Sequence, residues 1–488
     1  MITQTLTDAR NCEETEGSAI PSEQRPLFHL CPRVGWMNDP NGFSWHGGMY
    51  HLFYQYYPYK KVWGPMHWGH AVTRDLLHWE YLPAAIAPDN PLDADGCFSG
   101  SAEELPDGRQ FLIYTGVMPQ GMNYVQTQLL AIEENGEYVK YEGNPVIGQD
   151  LLPSGTNGHD FRDPKVWKET DGTYACVTVD KREDGLGRVL YFTSPDAVHW
   201  TFRSILAENP GTLGKMWECP DFFELDGKYV LLVSPMDMRR NETYYNGNGN
   251  VCMIGALDKE KMLFMPESNQ PVDCGIDFYA TQSILSQDGR RIMIAWMQNW
   301  DTVQYFGENI PWAGQMTVPR ELRIKNGRLF QTPIRELDSL RRDPVSYKDV
   351  LICGEEILKG ISGRTIDLLT EIRPAESGSL KSFEIRMAEK GDTCILLTYD
   401  AEEQKLRFDR SNSGTRRNVV HERECRLMTH GETLSLRIIL DRYSCEVFIN
   451  GGEQVMSHVF FTDLDYEGIS FKTRGKALVS ITKYDLSF

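Results

Sequence analysis

Six dipeptides set the outline of this chain. Asp107-Gly108, Asn135-Gly136, Asp171-Gly172, Asp226-Gly227, Asp288-Gly289 and Asn326-Gly327 each stand between runs rich in aromatic and β-branched residues. Asp and Asn tolerate left-handed backbone and glycine adopts it freely, so such pairs close tight hairpins. Gln110-Phe111-Leu112-Ile113-Tyr114 and Lys228-Tyr229-Val230-Leu231-Leu232-Val233 are strands of the kind these turns join. Long helical periodicity is absent. The expected class is all-β.

A weak internal repeat narrows the architecture. Thr73-Arg74-Asp75-Leu76-Leu77-His78-Trp79 resembles Ser194-Pro195-Asp196-Ala197-Val198-His199-Trp200. In both, an Asp turn ends one strand and His-Trp opens the next. The copies lie about 120 residues apart, or two units of roughly 60 each, which predicts a five-bladed β-propeller over 27–336. Residues 1–26 read as a polar tail. The segment 335–345 is charged and holds Pro344, so it reads as a short helix or linker, with the boundary at 337–345. Beyond it, alternating apolar residues over 382–387, 434–440 and 445–450 predict a C-terminal β-sandwich over 346–488.

Bulk charge excludes some partners. A net charge of −19 lacks the basic footprint that nucleic acid or an anionic membrane surface requires. No apolar run is long enough for a transmembrane helix. The acidic start, with Asp8, Glu13, Glu14, Glu16 and Glu23, does not read as a signal peptide. The 11 cysteines form no CxxC pairs. Reduced thiols in a cytoplasm are the expectation.

Three segments each put a carboxylate next to or near a proline: Asn38-Asp39-Pro40, Arg162-Asp163-Pro164 and Glu218-Cys219-Pro220. In a β-scaffold with many tryptophans, they suggest glycoside hydrolysis, which needs two carboxyl groups flanking the scissile bond. One must be ionised and the other protonated. Glu218, between Trp217 and Cys219-Pro220, has the poorly solvating neighbourhood that suits the acid. Asn38 and the turn amides would keep Asp39 charged, and Arg162 would do the same for Asp163. From chemistry alone, Glu218 is the acid and either Asp39 or Asp163 the nucleophile. His67-Trp68-Gly69-His70 has no neighbouring ligand cluster, so no metal site is expected. No phosphate-binding loop or dinucleotide fingerprint is present.

Trp36-Met37-Asn38-Asp39-Pro40-Asn41-Gly42, Arg162-Asp163-Pro164 and Glu218-Cys219, in that order, resemble glycoside hydrolase family 32: invertases, sucrose-6-phosphate hydrolases, inulinases and levanases. Phe53-Tyr54-Gln55, Phe98-Ser99-Gly100-Ser101, Asp277-Phe278-Tyr279-Ala280 and Trp296-Met297-Gln298-Asn299-Trp300 extend the resemblance. It implies a five-bladed propeller with an accessory sandwich. It further implies that Asp39 is the nucleophile, that Asp163 with Arg162 stabilises the transition state, and that Glu218 is the acid/base. Asn38, Gln55, Trp63, Phe98, Ser99 and Trp300 resemble the fructose-pocket positions. Cys219 is expected to tune the acid beside it. The expected substrate is sucrose or sucrose 6-phosphate, with no cofactor. The near alternatives are an exo-acting fructan hydrolase and a fructosyltransferase. A non-catalytic sugar-binding propeller is the alternative of another class, though it has no need of all three carboxylates. The sandwich is expected to stabilise the propeller or a homodimer. Lys60, Lys61, Arg239 and Arg240 are candidate phosphate contacts.

Overall fold

The computed structural model describes residues 2–428 and 431–488. Among them, 35–333 form five sheets whose strands follow one another in sequence, four to a sheet. The first sheet gains one more strand, Trp312–Ala313, which pairs in parallel with Gly35 and Trp36 and returns the end of this region to its beginning. The all-β expectation holds. Each of the six Asp-Gly and Asn-Gly pairs lies between two antiparallel neighbours. At Asn135, Asp226 and Asn326, φ is positive at both turn residues, the twist that two-residue hairpins favour.

The repeated turn is real and has a physical basis. Asp75 Oδ1 accepts the amides of Leu77 and His78, and Asp196 Oδ1 those of Val198 and His199. Both turns join the third strand of a sheet to its fourth, in the first and third sheets.

The first strands of the five sheets are Gly35–His46, Gly96–Glu104, Thr156–Lys168, Trp217–Leu225 and Tyr279–Leu285. Each packs on the first strand of the next sheet, and the fifth packs back on the first. The ring therefore closes on itself. The described residues of 341–486 form two six-stranded sheets that share one core, which includes Leu368, Phe383, Ile438, Val447 and Phe471.

The N-terminal segment differs from expectation, and the boundary segment holds the expected short helix but no linker after it. Within 1–26 lies a helix, Gln4–Thr15, capped by Thr3 and burying Leu6, Ala9 and Glu13. Its Arg10 binds the Ala84 carbonyl and Glu137, and Glu13 accepts the Ala84 amide at 3.0 Å. A three-residue buried face amid polar neighbours is too sparse to register as a periodic stripe. At the boundary, Arg335–Leu340 is a 3₁₀ helix with Leu337 and Leu340 buried, and Arg341–Ile352 is already a strand of the second region. No free linker separates the two.

The two regions meet across buried ions. His29 sits between Asp441 (2.8 Å) and Glu446 (2.9 Å). Glu446 also binds Arg320, which reaches Asp273 and Ser457. Arg410 binds Asp277 at 2.5 Å. Burial pulls the His29 imidazolium down, but the two carboxylates outweigh it and push its pKa up to about 9. The His29 contribution is therefore fully present below its ordinary value near 6.5 and is lost as pH rises through 9. Removing one partner of such a group costs about 3–5 kcal/mol. The melting-temperature gap between wild type and His29→Gln is expected to be widest near pH 6 and to shrink past pH 9. A gap that ignores pH over that range would refute the charged pair.

Candidate active site

Each first strand carries a bulge at the same level of the ring. In the first sheet, Met37 pairs with Tyr56 and Pro40 with Tyr54, so Asn38 and Asp39 together oppose one residue. The register slips likewise at Ser99, Asp163-Pro164, Cys219-Pro220 and Ala280-Thr281. A bulge breaks the in-out alternation and re-aims side chains, so five strands can all present groups at one end of the ring. Asp163, Cys219 and Ala280 take φ of 61°, 49° and 54°. Such backbone costs about 1 kcal/mol or more per residue and persists only when neighbours hold it. Here Thr115 Oγ1 accepts the Asp163 amide, Asp163 Oδ2 the Cys219 amide (2.8 Å), and Ser234 Oγ the Ala280 amide.

The three carboxylates are held by different partners. Asp39 Oδ2 accepts the Ser99 hydroxyl at 2.6 Å and the Cys219 thiol at 3.5 Å. Its Oδ1 accepts the Asn38 amide at 3.0 Å, and Trp36 Nε1 pins the other end of that amide at 2.8 Å. Glu218 Oε1 accepts two N–H groups of Arg162, each at 3.1 Å. Its Oε2 accepts the Tyr279 hydroxyl at 2.6 Å. Arg162 also binds Asp160 at 2.7 Å.

Burial dominates the electrostatics. It pushes the Asp39 carboxyl up, against the Ser99, Asn38 and Cys219 donors, and the charge on Glu218 adds to the rise. It pushes Asp163 up to about 7, with Arg162 opposing and Glu218 and Asp39 adding. Asn38 does donate to Asp39 and Arg162 does stand beside Asp163, but Asp39 lies in a strand bulge where side chains and not turn amides donate to it, and exclusion of water outweighs the partners of both residues. Cys219 is also pushed up by burial and by the three carboxylates, so it remains a thiol and a donor. Its thiol donates to Asp39 and not to the Glu218 carboxylate beside it in sequence.

Aromatic rings wall the site. Phe98 meets Trp63 edge-on at 5.9 Å, with Trp63 46% exposed at the rim. Trp300 packs on Trp296 at 5.2 Å, and Trp296 on Trp36 at 6.0 Å. Gln55 is buried and spends its amide on the Cys97 carbonyl, steadying the strand that carries Ser99. Trp68 and Trp200 are buried in the core, and Trp79 is partly buried against it. His67 binds the Pro65 carbonyl, and His70 stacks on Phe53. Lys61 gives its ammonium to the carbonyls of Gly307, Glu308 and Ile310, and Arg240 lies over the Tyr245 ring.

Sequence reasoning assigned no role to Tyr279, Trp36 or Asp160. Tyr279 and Trp36 stand inside stretches that carry the family resemblance, but neither bears a charge that would mark it. Asp160 reads as an ordinary loop acid two residues before Arg162.

A family model described as the glycosyl hydrolases family 32 N-terminal domain matches residues 29–333, and one described as the family 32 C terminal matches 336–485. The chain belongs to glycosyl hydrolase family 32. This family 32 chain is 36% identical over 498 residues to a sucrose-6-phosphate hydrolase of Zymomonas mobilis, covering 97% of this chain and 94% of that one. It is 34% identical to a levanase of Bacillus subtilis, covering 96% of this chain and 71% of the other. Among solved structures, a Bombyx mori GH32 beta-fructofuranosidase variant in complex with sucrose superposes with a TM-score of 0.84 at 34% identity, covering 100% and 99% of the two chains.

Proposed function

We propose that this family 32 chain is a retaining β-fructofuranosidase that hydrolyses sucrose or sucrose 6-phosphate through a covalent fructosyl-enzyme. The observation that carries the reading is the unequal setting of two carboxyl groups in one site. Asp39 is held by neutral donors from Ser99, Asn38 and Cys219, while Glu218 is held by Arg162 and Tyr279. Asp39 is the nucleophile and Glu218 the acid/base. Glu218 gives its proton to the glycosidic oxygen while Asp39 attacks C2 of the fructosyl unit. The glucosyl alcohol departs and a fructosyl ester remains on Asp39. Glu218 then takes a proton from water, whose oxygen attacks C2 and frees fructose. Asp163 and Arg162 bind fructose hydroxyls, and Asn38, Ser99, Phe98, Trp63 and Trp300 shape the pocket, with Gln55 behind them.

The five sheets serve as the blades of a propeller over 27–336, and the two six-stranded sheets as the sandwich over 346–488. The cyclic packing of the first strands supports this. Free thiols at all eleven cysteines suit a reducing compartment such as the cytoplasm.

The test is kcat/KM for sucrose and sucrose 6-phosphate side by side. Fructose release is expected, and a preference of tenfold or more for either sugar assigns the substrate. Fructose release from neither would overturn the reading. The similarity to a levanase favours a fructan-hydrolase alternative, which predicts release from levan or inulin exceeding that from both sucrose forms.

A further inference from the structure

We infer that Asp160 is a positioning residue for this reaction, dividing the Arg162 guanidinium between two carboxylates so that Glu218 is oriented without being locked in its charged form. The inference rests on the acid/base role proposed for Glu218.

Arg162 is buried and makes its shortest bond to Asp160, from Nη1 at 2.7 Å. Its Nε and Nη2 both reach Glu218 Oε1 at 3.1 Å. The guanidinium is planar, so fixing one Nη fixes the plane in which the other two donors point. Asp160 is itself tethered. Its Oδ2 accepts the Asn157 amide at 2.9 Å and lies 3.3 Å from Lys181 Nζ, and the Tyr124 hydroxyl reaches Oδ1 at 3.4 Å. Asn157 in turn accepts the backbone amides of His159 and Asp160, which closes the turn around the carboxylate.

The electrostatic consequence follows from the count of charges. Glu218 must alternate between neutral acid and carboxylate within one turnover. A buried arginine serving Glu218 alone would favour the carboxylate and oppose the first step. Asp160 supplies a compensating negative charge on the far side of Arg162. Burial works against its ionisation, yet Arg162, Asn157 and Lys181 hold it at about 2, so that charge persists at any working pH. The groups facing Glu218 are Arg162, Asp39 and Asp163, with the Tyr279 and Tyr124 hydroxyls and the Cys219 thiol. Those facing Asp160 are Arg162, Lys181 and Tyr124.

The experiment compares wild type, Asp160→Asn and Lys181→Met on the full chain. Asp160→Asn keeps the shape and removes the charge. Its kcat on sucrose or sucrose 6-phosphate is expected to fall about 10–100-fold with KM within about threefold, and the alkaline limb of kcat to move down by about half a pH unit or more. A 4-nitrophenyl β-fructofuranoside, whose leaving group needs no proton, should lose less than threefold. Lys181→Met, at a partly exposed position, leaves Asp160 more fully on Arg162 and should move the same limb slightly upward. Opposite shifts in the two variants support the inference. Unmoved limbs in both, or equal losses on activated and natural substrates, overturn it. If Asp160→Asn does not fold, the Lys181→Met limb decides alone. A wild type that releases no fructose refutes the proposed function itself, whereas an active wild type with unmoved variants refutes only the role of Asp160.

Discussion

Asp39→Asn is expected to lower kcat on the preferred sucrose form by on the order of 10⁴-fold or more, because it removes the atom that bonds to C2. The fold should survive. Trp36 pins the Asn38 carbonyl, so the Asn38 amide still points at position 39 and needs an acceptor there. The new side chain can turn its oxygen to Asn38 and its NH₂ to the Ser99 hydroxyl, which accepts as readily as it donates. Stability should even rise. Burial raises the Asp39 pKa in the folded state, so the ionised carboxylate weakens the fold as pH rises above its ordinary value of 3.8. The variant lacks that penalty. Its melting temperature should exceed that of wild type at pH 7, and the difference should vanish near pH 3.5. Turnover close to wild type, with the protein folded, would remove Asp39 from the role of nucleophile. Loss of activity together with a lower melting temperature at pH 7 would mark it as a structural carboxylate.

Glu218→Ala should cost on the order of 10³-fold or more in kcat on sucrose, but through the proton and not through the bond. The discriminating result is therefore the dependence on leaving group. An activated aryl fructoside should still transfer its fructosyl unit to Asp39, and breakdown of the ester should become the slow step. Added azide needs no general base and should restore turnover, giving a fructosyl azide of retained configuration. The site should tolerate the change. Arg162 keeps Asp160, and the Tyr279 hydroxyl keeps the Ser234 carbonyl at 3.1 Å. An azide product of inverted configuration would sink the double displacement. An equal loss on sucrose and on the aryl substrate would remove Glu218 from acid catalysis.

What could be read from the sequence was what is local. The Asp-Gly and Asn-Gly turns act through residues next to them, and all six lie where the dipeptides indicated. Asp39, Asp163 and Glu218 announce themselves because each is a charge within two residues of a proline. The bulges that bring them to one level do not, because a bulge is a relation between two strands, and its partner residues stand about 13–17 positions away. The junction between the two regions was invisible for the same reason. His29 sits in a loop, Asp441 ends a strand, and Glu446 alternates within one; only the folded chain puts them in contact. The elevated Asp163 shows the limit most clearly. Its neighbour Arg162 is plain in the sequence, but the burial that outweighs Arg162 belongs to the whole ring.

The seat of residues 27–29 on Asp441 also sets a clock. Asp441 accepts the backbone amides of Leu27, Phe28 and His29, and the first of these lies 414 residues before it. A ribosome adding roughly 5–20 residues per second needs on the order of 20–80 s to cover that interval. During that time the amides of residues 27–29 lack this acceptor. The seat cannot form before Asp441 is made, so the contact between residues 27–29 and the second region is completed only after the whole ring of 35–333 has been synthesised.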